Sequence, residues 1–563
     1  MRATSQVRRQ RLLQSCHACL WIGALAVDAQ VRADWPTYRH DAARSGYTTE
    51  ALPTGLSLAW SFHASHPPQP AWPRSARLTY DRAFQPVVAD GLVCFGSSVD
   101  GQVHALDATR GTVRWSFTTD APIRFAPAFW NGRFYIASDD GHLYCLDART
   151  GRLRWKKRGG PNDELILGND RMISRWPARG GPVVVEGVVC FAAGIWPSDG
   201  IFLYALDAIS GEVRWLNDAA DQIYMGQPHG GAFAHSGISP QGYLAATTDR
   251  LFVPNGRAVP AAFRRADGKF EYFHLQSNGQ RGGGTTVISD RFFINDGLAF
   301  DQKTGTTARR VDRGGTVALP EGLLQVTPKE IIQYRWTDRD RVNRRGKSEV
   351  VRDLQQILRF AHRGSTPAVE VIVARDEAVL GADSQVRRIR LPASNEVWTA
   401  RVEGTAYGLA VAEGQLYVST DQGILYCFAD SARRAQEVRP RWSSAPYGNN
   451  ELARRAAGEI IARTGITNGF CLDLGCGDGA LAYELARQTG LRILAVDADP
   501  AQVSIARARL GEAGLYGSRV TVLPRDPAKT GLPVYFANLV VSGRSVSAGE
   551  SAVPREEAAP ASR

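Results

Sequence analysis

None of the eight cysteines in this chain of 563 residues falls at a spacing that would hold zinc or build a disulfide framework. Cys94, Cys145, Cys190 and Cys427 stand singly in apolar stretches, and Cys471 and Cys476 flank a glycine-rich loop. They read as buried thiols acting as small hydrophobes. Long hydrophobic runs are also missing: the stretch from about Cys16 to Val27 is too short to span a membrane stably. The formal net charge of +11 is not gathered into a basic patch. Its densest cluster, Arg335 to Arg345, contains two Asp and few aromatics to stack on bases, which favours a solvated loop over a nucleic-acid surface. His229 and His235 have no acidic partner close in sequence, so no metal site is expected, and Arg281-Gly282-Gly283-Gly284 reads as a wide turn.

What is present begins with an export signature. Arg2, Arg8, Arg9 and Arg11 precede the short apolar stretch, and Val31-Arg32-Ala33 offers a cleavage point before Asp34. Residues 1–33 are therefore expected to be a signal peptide, with Arg8-Arg9 faintly similar to a twin-arginine signal and an ordinary signal the alternative. Cleavage would remove five Arg and one Asp and lower the net charge to +7. The remainder, with 44% hydrophobic and 22% charged residues, has ordinary globular composition.

The chain is organised around DGQVHALDATRGTVRW, Asp100 to Trp115, which returns as DGHLYCLDARTGRLRW, Asp140 to Trp155, 40 residues on. Each copy reads as an apolar strand, an Asp-Ala-x-x-Gly turn and a strand closing on Trp. A third copy runs from Gly200 to Trp215 after an insertion rich in Arg, Gly and Pro, and weaker copies follow near Leu251, Phe292 and Leu416. Between Thr306 and Arg401 the signal is degenerate, and one or two units are assigned there by spacing. Sheets of this size cannot bury both faces alone, so they stack around an axis.

The pattern resembles the repeat of quinoprotein-like β-propellers, named for dehydrogenases that hold pyrroloquinoline quinone (PQQ). It implies a mainly β fold of about eight blades over residues 34–430. Leu58-Ala59-Trp60-Ser61-Phe62 looks like a closing strand without its blade, and the copy ending at Phe428 lacks one, so the N-terminal strand should complete the last blade. The vicinal Cys pair of PQQ alcohol dehydrogenases is absent, as is a recognisable calcium-ligand cluster. PQQ is accordingly not the expected cofactor.

Residues 431–450 read as a linker, after which the periodicity becomes helical from Glu451 to Thr464. Then Phe470 to Leu474, an apolar strand, runs into Gly475-Cys476-Gly477-Asp478-Gly479 and a helix, Ala480 to Gln488. A second strand, Arg492 to Val496, ends in Asp497, 22 residues beyond Gly475. Glycines allow close approach of backbone to a ligand, a helix N-terminus favours polar groups, and the second-strand carboxylate suits ribose hydroxyls. The glycines alone also satisfy a dinucleotide pattern. Asp473 decides between the two, because a carboxylate before the turn suits a cationic ligand.

This stretch resembles class I methyltransferases that use S-adenosylmethionine (SAM). The resemblance implies a truncated α/β Rossmann-like domain over 451–542 with Asp473, Gly475, Cys476, Gly477, Gly479, Asp497, Ala498 and Asp526 at the cofactor, Asp526 near the adenine. Val520-Thr521-Val522 and Asn538 to Ser542 match the third and fourth strands, with Asn538 where Asp is usual. The strands that usually shape the acceptor pocket do not follow, no general base can be named, and 543–563 reads as a disordered tail. The exposed edge of a four-stranded sheet would be a liability, so either another chain is expected to cover it or the product is truncated. The expected activity is that of a propeller scaffold carrying a SAM-binding half-domain, with methyl transfer to an unknown acceptor. The alternative is an exported interaction protein with a relic half-domain. A protein or small-molecule partner is expected on the propeller face, and the location is periplasmic or extracellular, or cytoplasmic if the signal is not used.

Overall fold

The computed structural model describes residues 34–549 apart from 76, 228–229, 257, 276–281, 343–345, 347, 363–365, 393–394 and 431–433. The expected signal at 1–33 and residues 550–563 of the expected tail lie outside the described residues.

The first repeat folds as an antiparallel sheet of strands Val87–Ala89, Leu92–Gly96, Gln102–Asp107 and Val113–Thr118. Asp107 makes its tight turn by accepting from the amides of Thr109 and Arg110, both at 3.0 Å, and Gly111 follows at φ +69°. The closing aromatic of each blade then docks on the corresponding turn of the next. Trp60 Nε1 donates to the Ala108 carbonyl at 2.9 Å, Trp115 to Ala148 at 2.8 Å, Trp155 to Ile209 at 3.1 Å and Trp215 to Arg265 at 2.8 Å. In the next blade Tyr272 takes the role, its hydroxyl donating to Gln302 O at 2.8 Å. The indole lies flat on the turn glycine: a Cβ on Gly111 would stand 2.5 Å from the Trp60 ring. Asp, Gly and Trp thus recur together because one blade supplies the turn and its neighbour the ring.

Eight blades form among the described residues, the last two sharing the long strand Glu396–Ala412. The stretch of degenerate repeats holds two of them, one built on Gly315–Leu319 to Ser348–Ala361 and one on Ala368–Ala374 and Glu377–Arg390. The ring closes through Ser57–His63, which pairs antiparallel with Ile424–Ala429. The basic cluster expected as a loop is instead part of a strand, Glu330–Val342, with residues 343–345 outside the described set. Its charges are paired across the hairpin: Asp338 lies opposite Arg352 in register and 3.2 Å from its guanidinium.

Residues 35–46 run over the inner strands of the ring. Carbonyls of Trp35, Pro36, Ala42, Ala43, Ser45 and Gly46 accept from Val88, Phe129, Ala246, Ile288, Ala318 and Val373, each in a different blade, at 2.7–3.0 Å. Arg44, fully buried, donates to Leu244 O at 2.8 Å, Pro182 O at 3.0 Å and Thr37 Oγ1 at 2.6 Å. The sequence gives this segment no regular pattern because its backbone pairs with several sheets instead of one.

The C-terminal unit comprises α1 (Glu451–Thr464), β1 (Phe470–Leu474), α2 (Ala480–Gln488), β2 (Arg492–Asp497), α3 (Pro500–Glu512), β3 (Val520–Pro524), β4 (Leu539–Val541) and α4 (Gly543–Ala548). Its strands are all parallel, in the order β3-β2-β1-β4. The helix α4 corrects the expectation of a tail without structure from residue 543 on. One face of the sheet packs with α1, α2 and α3. The other is covered by the propeller, through a hairpin in the Arg/Gly/Pro-rich insertion, Leu165–Gly168 paired with Arg171–Ser174. Leu165 and Met172 join Leu472, Leu474, Leu494, Val496 and Leu523 in one core. Asn169 and Asp170, at φ +54° and +61°, form the two-residue turn that suits a twisted hairpin.

Candidate functional site

Parallel pairing brings the C-terminal ends of β1, β2 and β3 side by side, and the acidic residues lie at those ends. The glycine turn is tied to the neighbouring strand: the amides of Gly475 and Cys476 both donate to Val496 O, at 2.9 and 3.0 Å. Gly475, Gly477 and Gly479 have φ of +69°, +57° and +84°, a sequence of left-handed positions that side chains disfavour. A Cβ at Gly477 would meet nothing within 4 Å, so this part of the turn presents open backbone. Tyr447, from the linker, buttresses the turn by donating to Asp478 O at 2.9 Å.

Asp473 is fully buried. Its Oδ1 accepts from Gly543 N at 2.7 Å, and its Oδ2 has no hydrogen-bond partner. Burial pushes its pKa up to about 6, the Gly543 amide opposes that shift and the nearby Asp497 charge adds to it. Asp497 is also fully buried, but its oxygens are engaged. Gly477 N donates to Oδ2 at 2.9 Å, Asp499 N to Oδ1 at 3.0 Å, and Arg544 Nη2 lies 3.1 Å from Oδ1 and 3.4 Å from Oδ2. Gly477 is thus bonded directly to Asp497, Gly475 and Cys476 are tied to β2 at Val496, and Asp473 is held by Gly543 of the segment that also bonds Gly475 and Asp497. Gly479 begins α2 beside it. Ala498 is exposed on the next position, and Asp526 is exposed beyond β3, accepting from Ala528 N at 2.9 Å within its own turn. Burial raises the Cys476 thiol, and all six described cysteines are free and buried.

A cleft of about 670 Å³ opens beside the turn, lined among others by Asn450, Gly477, Asp478, Asp499, Gln502 and Arg544. Sequence reasoning passed over Arg544 because it lies in what reads as low-complexity sequence. The signal that was there is Ser542, which caps α4 by accepting from Ser545 N at 3.2 Å. The residues fit SAM in kind: Asp473 keeps a buried carboxylate oxygen without a partner, which matches a cation, and the turn that follows β1 presents open backbone at Gly477. Asp497, expected to accept from a ribose, is here paired with Arg544.

Comparison with known proteins agrees with both halves. The family model described as outer membrane protein assembly factor BamB matches residues 57–215, and one described as a methyltransferase domain matches residues 471–552. No curated protein matches the chain. Among solved structures, a quinohemoprotein alcohol dehydrogenase from Comamonas testosteroni is 15% identical, covering 76% of this chain and 85% of its own, with a TM-score of 0.50. A europium-containing methanol dehydrogenase is 13% identical, covering 70% of this chain and 98% of its own, with a TM-score of 0.49. BamB from Moraxella catarrhalis is 13% identical over 61% of this chain and 81% of its own, with a TM-score of 0.30. At such identities the likeness is one of fold. The chain therefore joins a quinoprotein-like β-propeller to a partial methyltransferase-type domain of four parallel strands.

Proposed function

We propose that the C-terminal unit binds SAM against the glycine turn, with the propeller as its rigid carrier and as the surface that receives a methyl acceptor or partner. The observation that carries this reading is Asp473 Oδ2, buried and unpaired at the strand end that runs into the glycine turn. A buried carboxylate with a free oxygen is costly unless a cation or proton joins it, and the amino group of SAM is such a cation. Asp497 would accept from the ribose hydroxyls, and Asp526 would stand toward the adenine. SAM supplies an activated methyl group for in-line displacement; the chain's own part is to orient and partly desolvate it.

Two carboxylates line the cleft, and both are already engaged. Asp478 is paired with Arg509, and Asp499 caps α3 by accepting from Ala501 N at 2.8 Å. This favours, as a second reading, a SAM-binding interaction module without catalysis. Export is part of the proposal, resting on residues 1–33 of the sequence and in keeping with an outer-membrane assembly description for the propeller match. No helix among the described residues is long and apolar enough to cross a membrane. A PQQ dehydrogenase is the less favoured reading, because the sequence has no vicinal Cys pair.

Calorimetry with SAM tests the assignment. One site per chain is expected, weakened at least about tenfold by Asp473→Asn, since a charge-assisted hydrogen bond in a buried site is worth more than 1.4 kcal/mol. Absence of SAM binding both in the native chain and in a variant freed of Arg544 refutes it.

A further inference from the structure

The segment after β4 turns back over the glycine turn. The first two residues of α4 bind both of the acidic strand ends, Gly543 at Asp473 and Arg544 at Asp497. Gly543 N donates to Asp473 Oδ1 at 2.7 Å, and Arg544 N donates to Gly475 O at 2.7 Å. The approach is close enough that a Cβ on Gly543 would stand 2.8 Å from Cys476 O, so a residue with a side chain could not pass there without displacing backbone. This fixes the start of α4 over the site and aims the Arg544 guanidinium at Asp497.

We propose that Arg544 is a built-in competitor for the nucleoside: its guanidinium occupies the Asp497 carboxylate, and the ribose reaches that carboxylate only when Arg544 leaves. The inference rests on the SAM reading above and names the regulation of that same site. Two of the Asp497 contacts, from Gly477 N and Asp499 N, come from backbone that also shapes the turn. The Arg544 contact comes from a flexible side chain and is the one that can be withdrawn. Its side chain is 39% exposed while Asp497 is fully buried. The guanidinium regains water when it leaves, and a ligand that pairs both ribose hydroxyls with Asp497 takes over its contacts to the buried carboxylate. Once released, Arg544 becomes a free cation at the rim of the cleft, beside Gln502 and Asp499.

The test measures binding of SAM and of adenosine, which carries the ribose without the charged tail, to the full chain and to Arg544→Met and Arg544→Ala. Circular dichroism and melting temperature serve as controls for folding. Expected is a gain of about tenfold in affinity for both ligands in both variants, as removal of a competing closed state requires. Unchanged or weakened binding of both overturns the proposal and leaves the SAM reading standing. A gain for SAM alone also overturns it, because that result reports long-range charge repulsion rather than occupancy of the ribose position. If neither ligand binds any form, the SAM reading falls and the competitor falls with it. Hydrogen exchange on the native chain gives an independent readout: SAM should speed exchange at the amides of Ser545 to Ala548, and slower exchange there refutes release.

Discussion

Asp473 has a proton affinity that suits its position. Its pKa, raised to about 6 mainly by burial, means that the folded chain holds a proton below that pH more readily than an ordinary carboxylate would. A cationic ligand needs the ionised form, so binding must expel that proton when the pH is below about 6. SAM affinity is therefore expected to be flat above pH 6 and to fall toward tenfold per pH unit below it. Asp473→Asn should abolish the slope, and calorimetry in buffers of different ionisation heat would count the released proton. The two strand-end carboxylates and the glycines were legible in the sequence because their chemistry depends on short, fixed spacings. Arg544 was not, because its role comes from a chain reversal that places it against a residue 47 positions earlier.

Among the elements, the 165–174 hairpin is the one on which the C-terminal sheet depends. Leu165 is buried, with Met172 beside it, in a core that the C-terminal unit supplies from β1, β2, β3, β4 and the loop near Ala537. Leu165→Ala should destabilise that unit by about 2 kcal/mol, at the low end for a buried leucine because the site lies near the surface. The change should appear as faster hydrogen exchange in β1 and β2, with the blades unaffected. Polar contacts line the same seam: Arg507 Nη2 lies 2.7 Å from Asp120, and Arg492 Nη2 3.3 Å from Asp170. Gly517, at φ +79°, passes so close to the first blade that a Cβ would stand 2.5 Å from Asp100 Cα. Gly517→Ala is expected to loosen this seam, read as new protease sensitivity in the linker before α1. The repeats were readable because turn and ring recur at one interval, whereas this hairpin occurs once. Likewise the strand Glu330–Val342 was hidden by charges that pair across it and not into a core.

For the whole molecule, the ring is held at two places by residues from its N-terminal end. Trp60, fully buried, docks on the first blade from the strand that completes the eighth. Arg44 is bonded within the segment that spans the inner strands. Arg44→Met would leave several buried carbonyls without donors and is expected to cost about 3 kcal/mol or more, seen as a drop in the denaturant midpoint of the entire propeller. Deletion of residues 445–563 should leave that midpoint nearly unchanged while unprotecting the 165–174 hairpin. Ring closure by the Ser57–His63 strand was foreseeable from an unmatched Trp strand before the first repeat and a last repeat that lacks one; the crossing segment was not.

That segment has a consequence in time. Residues 35–46 are made before any blade, yet the amides they satisfy belong to blades as late as the seventh. A growing chain therefore carries its hub only partly fastened until nearly all the rim exists. The wheel is drawn together only when its final spokes arrive.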